Sequence, residues 1–261
     1  MTKLRTLALS SALILGSVGA AGADPIRVGV TAGPHAEILE VVKQVAAERN
    51  FEIEVVEFTD YVIPNDALAH GEIEANSFQH EPYLINQIEK TGWDLVPVAL
   101  TIASPMGFYS EKYKSFDEIP DGALVAIQND PTNGARSLYL LQAHGIIKLS
   151  DDAGLDAGPA DIVENPKNLE FIELDAAQLP RSLPDVDAAA VNNNYAVQAG
   201  LDPMKDAIIL EDLETPYTNI LAVRAEDKDE PWVQQLIDAY HSEPVAKFVN
   251  ERFKGTYVPV W

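Results

Sequence analysis

One arginine lies near the predicted start of a helix, in a stretch whose residue types are typical of an anion site. Residues 128–142 read QNDPTNGARSLYLLQ, in which turn-forming residues follow a buried strand and Arg136 comes in the predicted first turn. Free backbone N–H groups and the helix dipole attract anions there, so an arginine costs about 0.3–1 kcal/mol. We therefore expect a negative group beside Arg136, either the carboxylate of a ligand or an acidic residue of the protein surface. The free backbone N–H groups of the helix start could complete the site.

A second stretch gathers aromatic side chains at the ends of two predicted strands. Residues 57–84 read EFTDYVIPNDALAHGEIEANSFQHEPYL and contain Tyr61, Phe78, His80 and Tyr83. Aromatic rings pack well against a thioether or another soft apolar side chain, so these residues could line a pocket, although an ordinary core would use the same types. His80 has no second histidine or cysteine at ligand spacing, so we expect a neutral ring and no metal site.

Asparagines follow two further predicted strands. Residues 186–201 read VDAAAVNNNYAVQAGL, in which an apolar strand ends at Asn192 and its two neighbours before a helix begins. The side-chain amides could accept from an ammonium or donate to a carboxylate, although asparagine is also common in turns for local reasons. Asn219, within TPYTNILAVRAED, gives a weaker signal of the same kind.

The elements that place these side chains form two series of alternating strands and helices. Residues 25–58 show alternating apolar residues, then an apolar-periodic segment, then alternation again, which is typical of a βαβ unit with parallel strands. The pattern resumes after Pro105, and two helices close the chain. We predict an α/β protein with two lobes, two crossover strands and a ligand cleft between the lobes. The first lobe comprises residues 24–105 and 219–261, and the second comprises residues 106–218.

The composition limits the location and the partners of the protein. The chain begins MTKLRTLALSSALILGSVGAAGAD, a basic start, an apolar run and an A-x-A-like site, so we predict that residues 1–23 form a cleaved secretory signal peptide. The formal net charge of −23 argues against nucleic acid and anionic lipid as partners. The sequence contains no cysteine to form a disulfide or to carry a lipid, so we predict a secreted protein without a lipid anchor of its own.

Motifs of catalysis are missing from the sequence. There is no G-x-S-x-G, no H-E-x-x-H, no phosphate-binding G-x-x-x-x-G-K-[ST] loop and no cysteine nucleophile. We therefore expect a binding protein without a cofactor. Two alternatives stay open: a secreted α/β enzyme that uses His80 with a carboxylate as acid and base, and an interaction protein whose acidic surface is its function.

The chain resembles the methionine-binding, NlpA-type substrate-binding proteins of ABC importers. The matching stretches follow one another in order along nearly the whole mature chain: GPHAEIL, DYVIPNDAL, ANSFQHEPYL, PMGFYS, QNDPTNGARSLYLLQ, NPKNLEFIELDAAQLPRSL, NNYAVQAGL and PYTN. The resemblance implies hinge closure around L-methionine or a close analogue, and delivery to a permease and its ATPase subunits. A methionyl dipeptide, D-methionine or another apolar amino acid remains an alternative ligand, because a methylene or two changes binding by only about 1–3 kcal/mol.

The resemblance also assigns roles to individual residues. It implies that Arg136 binds the carboxylate of the ligand, that Asn192 and Asn219 hold its head group, and that Asn133 assists. The side-chain pocket would consist of Tyr61, Phe78, His80 and Tyr83. Many relatives are lipoproteins with a cysteine after the signal peptide, and this chain has none, so it resembles a freely diffusing periplasmic version, which we expect to be a monomer.

Overall fold

The computed structural model describes residues 24–213 and 216–261. The predicted signal peptide, residues 1–23, lies outside them. The strands are β1 Ile26–Thr31, β2 Ile53–Phe58, β3 Ala75–Asn76, β4 Leu95–Leu100, β5 Ile102–Ala103, β6 Gly107–Tyr109, β7 Leu124–Gln128, β8 Lys148–Leu149, β9 Ile162–Glu164, β10 Glu170–Leu174, β11 Ala188–Val191, β12 Ile209–Leu210, β13 Ile220–Arg224 and β14 Val258–Pro259. The α-helices are α1 Pro34–Ala47, α2 Ile63–Ala69, α3 Glu81–Thr91, α4 Pro131–Ala143, α5 Leu179–Ser182, α6 Asn193–Gln198, α7 Pro203–Asp206, α8 Pro231–Tyr240 and α9 Glu243–Phe253.

These elements form two five-stranded sheets. The first has the order β2-β1-β3-β13-β4, in which β1 lies parallel to β2 and β3 while β13 runs antiparallel to its neighbours. The second has the order β10-β7-β11-β6-β12, with β6 antiparallel to β11 and β12. We call each sheet with its covering helices a lobe. The exact lobe boundaries at residues 105/106 and 218/219 stay a prediction.

Each sheet is covered on both faces, which explains the continuous apolar runs of its central strands. One face of the first sheet packs with α1, α8 and α9 around residues such as Leu39, Leu236 and Val249. Its other face packs with α2 and α3, where Leu68 and Leu84 are fully buried. The two faces of the second sheet bury separate clusters in the same way. Among the described residues, no helix is long and apolar enough to cross a membrane.

Three local features of the chain shape these elements. Residues 94–104 read DLVPVALTIAS, a nearly continuous apolar run, yet they form two strands, β4 and β5, because the chain turns at Thr101, whose N–H donates to the carbonyl of Asn219. Pro180 lies in the first turn of α5, where proline is tolerated. The strand β3 is limited to residues 75–76.

Candidate functional site

The candidate site residues lie where strands end and helices begin. His80 caps the start of α3 shortly after β3, Asp130 caps α4 after β7, and Asn192 stands at the start of α6 after β11. The carboxyl ends of the parallel strands β7 and β11 meet at one edge of the second sheet, which brings the starts of α4 and α6 together. His80 follows β3 of the first sheet and meets Asn133 of α4 from the other lobe. At α4, Gly134 permits close packing, since a Cβ there would lie 2.9 Å from the carbonyl oxygen of Gln128.

The start of α4 differs from the expected anion site. The helix begins at Pro131, so Arg136 lies in its second turn and not in its first. The carboxylate of Asp130 occupies the helix start, accepting from the backbone N–H and the side-chain amide of Asn133 at 2.9 and 3.0 Å. Burial raises the pKa of Asp130, and the hydrogen bonds from Asn133 oppose that rise. The expectation of free N–H groups awaiting a ligand is therefore wrong, because the chain supplies its own capping carboxylate.

Arg136 has a protein carboxylate as its partner. Its Nε lies 3.0 and 3.1 Å from the two carboxylate oxygens of Glu211, and its Nη2 donates to Glu211 and, at 3.0 Å, to the carbonyl of Ser104. The two side chains are only 6% and 8% exposed. The ring of Tyr217 lies 4.6 Å from the guanidinium carbon. The negative group expected beside Arg136 is thus present as a buried residue rather than a surface acid. Nη1 of Arg136 donates to none of the described residues.

Between the lobes lies a narrow cavity with about 30 Å³ of free space. The residues predicted from the sequence all line it: Tyr61, Phe78, His80, Tyr83, Asn133, Arg136, Asn192 and Asn219. Five further residues line it: His35, Gln79, Ser104, Asn193 and Asn194. The rule that found Asn192 could also have found His35, which lies at the start of α1 directly after β1.

Aromatic rings form one wall of the cavity. The ring of Tyr61 lies 5.9 Å from that of Phe78, 6.3 Å from that of Tyr83 and 5.0 Å from that of Tyr195. The hydroxyl of Tyr83 donates to the carbonyl of Tyr61 at 2.9 Å, and the hydroxyl of Tyr61 donates to Oδ1 of Asn194 at 2.5 Å. Burial raises the pKa of both Tyr61 and Tyr83. The wall therefore offers neutral rings whose hydroxyls are already directed toward protein acceptors.

The hydrogen bonds of His80 fix its tautomer and its charge. Nδ1 accepts from the backbone N–H of Tyr83 at 3.2 Å, so the proton of the neutral ring is on Nε2, which donates to Oδ1 of Asn133 at 3.3 Å. Burial, and then the positive charge of Arg136, lower the pKa of His80 to about 3. His80 is thus a neutral residue in a hydrogen-bond network.

The amide of Asn192 is engaged by the protein on both atoms. Its Oδ1 accepts from Nε2 of Gln128 at 2.8 Å, and its Nδ2 donates to Oδ1 of Asn133 at 2.8 Å. Gln128 in turn accepts from the hydroxyl of Ser137. Asn192 therefore connects β7, α4 and α6 at the cavity wall and holds Asn133 in place.

Comparison with known proteins identifies the family. The family model described as NlpA lipoprotein matches residues 26–261. The chain belongs to the NlpA lipoprotein family. The D-methionine-binding lipoprotein MetQ of Salmonella typhimurium is 47% identical over 99% of both chains, and that of Escherichia coli K12 is 46% identical over the same shares.

Solved structures of similar proteins confirm the predicted two-lobed binding-protein fold. A nutrient binding protein from Burkholderia cenocepacia bound to methionine superimposes with a TM-score of 0.89 and 51% identity, over 90% of this chain and 100% of that one. The crystal structure of the methionine binding protein MetQ gives a TM-score of 0.88 at 47% identity, over 90% and 98%.

The comparison corrects the predicted location. The expectation of a periplasmic protein without a lipid anchor is wrong by this comparison, because the family and its named members are lipoproteins. The prediction rested on the lack of cysteine in the sequence. That absence describes the composition of the chain and carries no conclusion about its attachment to a membrane.

Proposed function

We propose that this protein is the substrate-binding protein of an ABC importer and that it captures L-methionine or a close analogue between its lobes. The observation that carries the proposal is the 51% identity to a nutrient binding protein bound to methionine. It is supported by the cavity of this chain, which is lined by Arg136 on one side and by aromatic rings on another. Delivery to a membrane permease and its ATPase subunits is part of the same proposal.

The chemistry of the cavity matches an apolar amino acid. Arg136 would bind the ligand carboxylate through Nη1, since Nε and Nη2 already hold Glu211 and Ser104. The thioether would lie against Tyr61 and Phe78, because sulfur packs favourably at ring edges. His80 would stay neutral and add no second cation to the site.

Hydrogen bonds between the lobes support capture by hinge closure. Tyr61 follows β2 of the first sheet and donates to Asn194 of α6 in the second lobe, and His80 donates across the cleft to Asn133 at 3.3 Å. Contacts of this kind are lost when a cleft opens, and a ligand that touches both lobes favours the closed state.

D-methionine is a second candidate for the ligand, because the similar lipoproteins of Salmonella typhimurium and Escherichia coli are named D-methionine-binding. A methionyl dipeptide and other apolar amino acids could bind through the same contacts and remain alternative ligands. Catalysis is no part of the proposal: the relatives are named as binding proteins, and the hydrogen-bond partners of His80 are an amide and a backbone N–H rather than a carboxylate.

Isothermal titration of ligand-free protein with L-methionine, D-methionine, glycyl-methionine and L-alanine tests the proposal. We expect tight one-to-one binding of a methionine enantiomer and binding of L-alanine at least about 30-fold weaker, since burying an apolar side chain contributes roughly 2–3 kcal/mol. Equal affinity for alanine and both methionine enantiomers would contradict the assignment. Denaturation and refolding before the titration removes ligand that co-purifies.

A further inference from the structure

Three buried amides next to the aromatic wall of the cavity bond to one another. We call Asn65, Asn76 and Gln79 the amide circuit, and they are 0%, 0% and 3% exposed. Nδ2 of Asn65 donates to Oε1 of Gln79, and Nε2 of Gln79 donates to Oδ1 of Asn65, both at 2.7 Å. Nδ2 of Asn76 donates to Oδ1 of Asn65, and Oδ1 of Asn76 accepts from Nε2 of Gln79, both at 2.9 Å. Each oxygen and each nitrogen of the three amides is therefore engaged.

One backbone carbonyl fixes the direction of the whole circuit. Nδ2 of Asn76 also donates to the carbonyl of Pro64 at 3.3 Å, and a carbonyl can only accept, so the two ends of the Asn76 amide are assigned. The atom of Asn65 that faces this nitrogen is then its oxygen, and its remaining nitrogen meets the oxygen of Gln79. Turning any one amide by 180° would place two donors or two acceptors face to face.

The circuit joins the two segments that carry the rings of the wall. Asn65 lies in the first turn of α2, shortly after Tyr61, whereas Asn76 ends β3 and Gln79 follows Phe78 directly. The rings of Tyr61 and Phe78 lie 5.9 Å apart. The relative position of these two rings therefore depends on how α2 is held against the end of β3, which is where the circuit lies.

Directional hydrogen bonds give this junction a single arrangement. A buried polar network whose members are all paired rigidifies its surroundings and specifies a unique core, whereas apolar side chains pack without a preferred direction. The backbone carbonyl of Gln79 also accepts from the N–H of Ile220 at 2.8 Å, which ties the junction to β13 of the same sheet. The first lobe thus holds the two rings from behind as well as from the side.

We propose that the amide circuit is a positioning element that sets the selectivity of the cavity for the side chain of its ligand. By fixing the rings of Tyr61 and Phe78, it keeps the wall in the arrangement that an unbranched thioether contacts. The inference rests on the proposed function and deepens it, because it assigns the choice of side chain to residues outside the cavity lining. Gln79 lines the cavity, whereas Asn65 and Asn76 lie behind that lining.

The test compares two ligands in two variants. Ligand-free wild type, Asn65→Leu and Asn165→Leu are titrated with L-methionine, and L-alanine is measured by its displacement of methionine. Asn65→Leu should weaken L-methionine at least about 10-fold and L-alanine less than about 3-fold, because alanine has no side chain that reaches the rings. Asn165, whose amide bonds to both backbone groups of Leu169 in the second lobe, is the matched control. Its substitution should leave the ratio of the two affinities unchanged.

The other outcomes each contradict a distinct part of the reasoning. Equal losses for the two ligands in Asn65→Leu would show that the circuit acts on closure or stability and not on selectivity, and unchanged affinities would reduce it to core packing. Wild type that fails to bind either methionine enantiomer would refute the proposed function itself. If Asn65→Leu does not fold, Asn65→Ser takes its place with the same expected change in ratio, because the hydroxyl is too short to bond both other amides.

Discussion

Replacing Arg136 by methionine should affect stability and ligand binding separately. Arg136 and Glu211 are 6% and 8% exposed, so Arg136→Met leaves a carboxylate buried without its counter-charge. Breaking such a pair costs about 3–5 kcal/mol, which corresponds to a fall in Tm of roughly 6–20 °C for a chain of this size. Loss of the partner of the ligand carboxylate should weaken methionine binding by at least about 30-fold.

A second substitution separates the two effects. Glu211→Gln removes the stranded charge but keeps an acceptor for the backbone N–H of Met106, which lies 3.0 Å from the carboxylate. In the double variant Arg136→Met, Glu211→Gln, most of the lost stability should return because no uncompensated charge remains.

The assays are urea denaturation of ligand-free protein and titration with L-methionine. The double variant should regain stability and still bind weakly, since no cation faces the ligand. Near-wild-type affinity in the double variant would refute the role given to Arg136. An unchanged urea midpoint for Arg136→Met would refute the energetic importance of the pair.

Three further predictions concern the network around the cavity. The low pKa of His80 means that its ring takes a proton more readily in the unfolded chain, so its contribution to stability is present above about pH 6.5 and is lost toward pH 3. His80→Gln should therefore reduce the slope of the unfolding free energy against pH, between about pH 4 and 6, by up to about 1.4 kcal/mol per pH unit. An identical slope in the variant would contradict this. Tyr61→Phe keeps the ring but removes the hydroxyl bond to Asn194, and it should weaken the binding of every ligand by a similar factor of about 5–10 in titration. A loss confined to one ligand would instead indicate that the hydroxyl contacts that ligand directly. Gly134→Ala should lower the unfolding free energy by about 1–3 kcal/mol through overpacking, seen as a lower urea midpoint, while Gly158→Ala, whose new Cβ meets open space, should not lower it. Equal effects of the two substitutions would refute the packing argument.

The sequence located the cavity lining well because of a general property of α/β sheets. Side chains that follow the parallel strands of one sheet meet at one edge, so Asn133 and Asn192, after β7 and β11 of the second sheet, could be grouped before the fold was known. The aromatic set around Tyr61 followed from composition and the same rule.

Two features could not be obtained from local pattern. The partner of Arg136 is Glu211, 75 residues later in the chain, and in a sequence with 41 acidic residues no local signal selects it. The capping of α4 by Asp130 could not be predicted for a different reason. Pro131 and Thr132 are typical turn residues, but proline is also favoured in the first turn of a helix, and here α4 begins at Pro131. The two hydrogen bonds of the Asn192 side chain, to Gln128 and Asn133, become visible only in three dimensions.

A crystal structure of the protein grown with L-methionine tests the central claim most directly. The account predicts one methionine in the cavity between the lobes, with its carboxylate within about 3 Å of Nη1 of Arg136 and its thioether against Tyr61. A ligand bound with its carboxylate away from Arg136, or a cavity left empty at saturating methionine, would contradict the account.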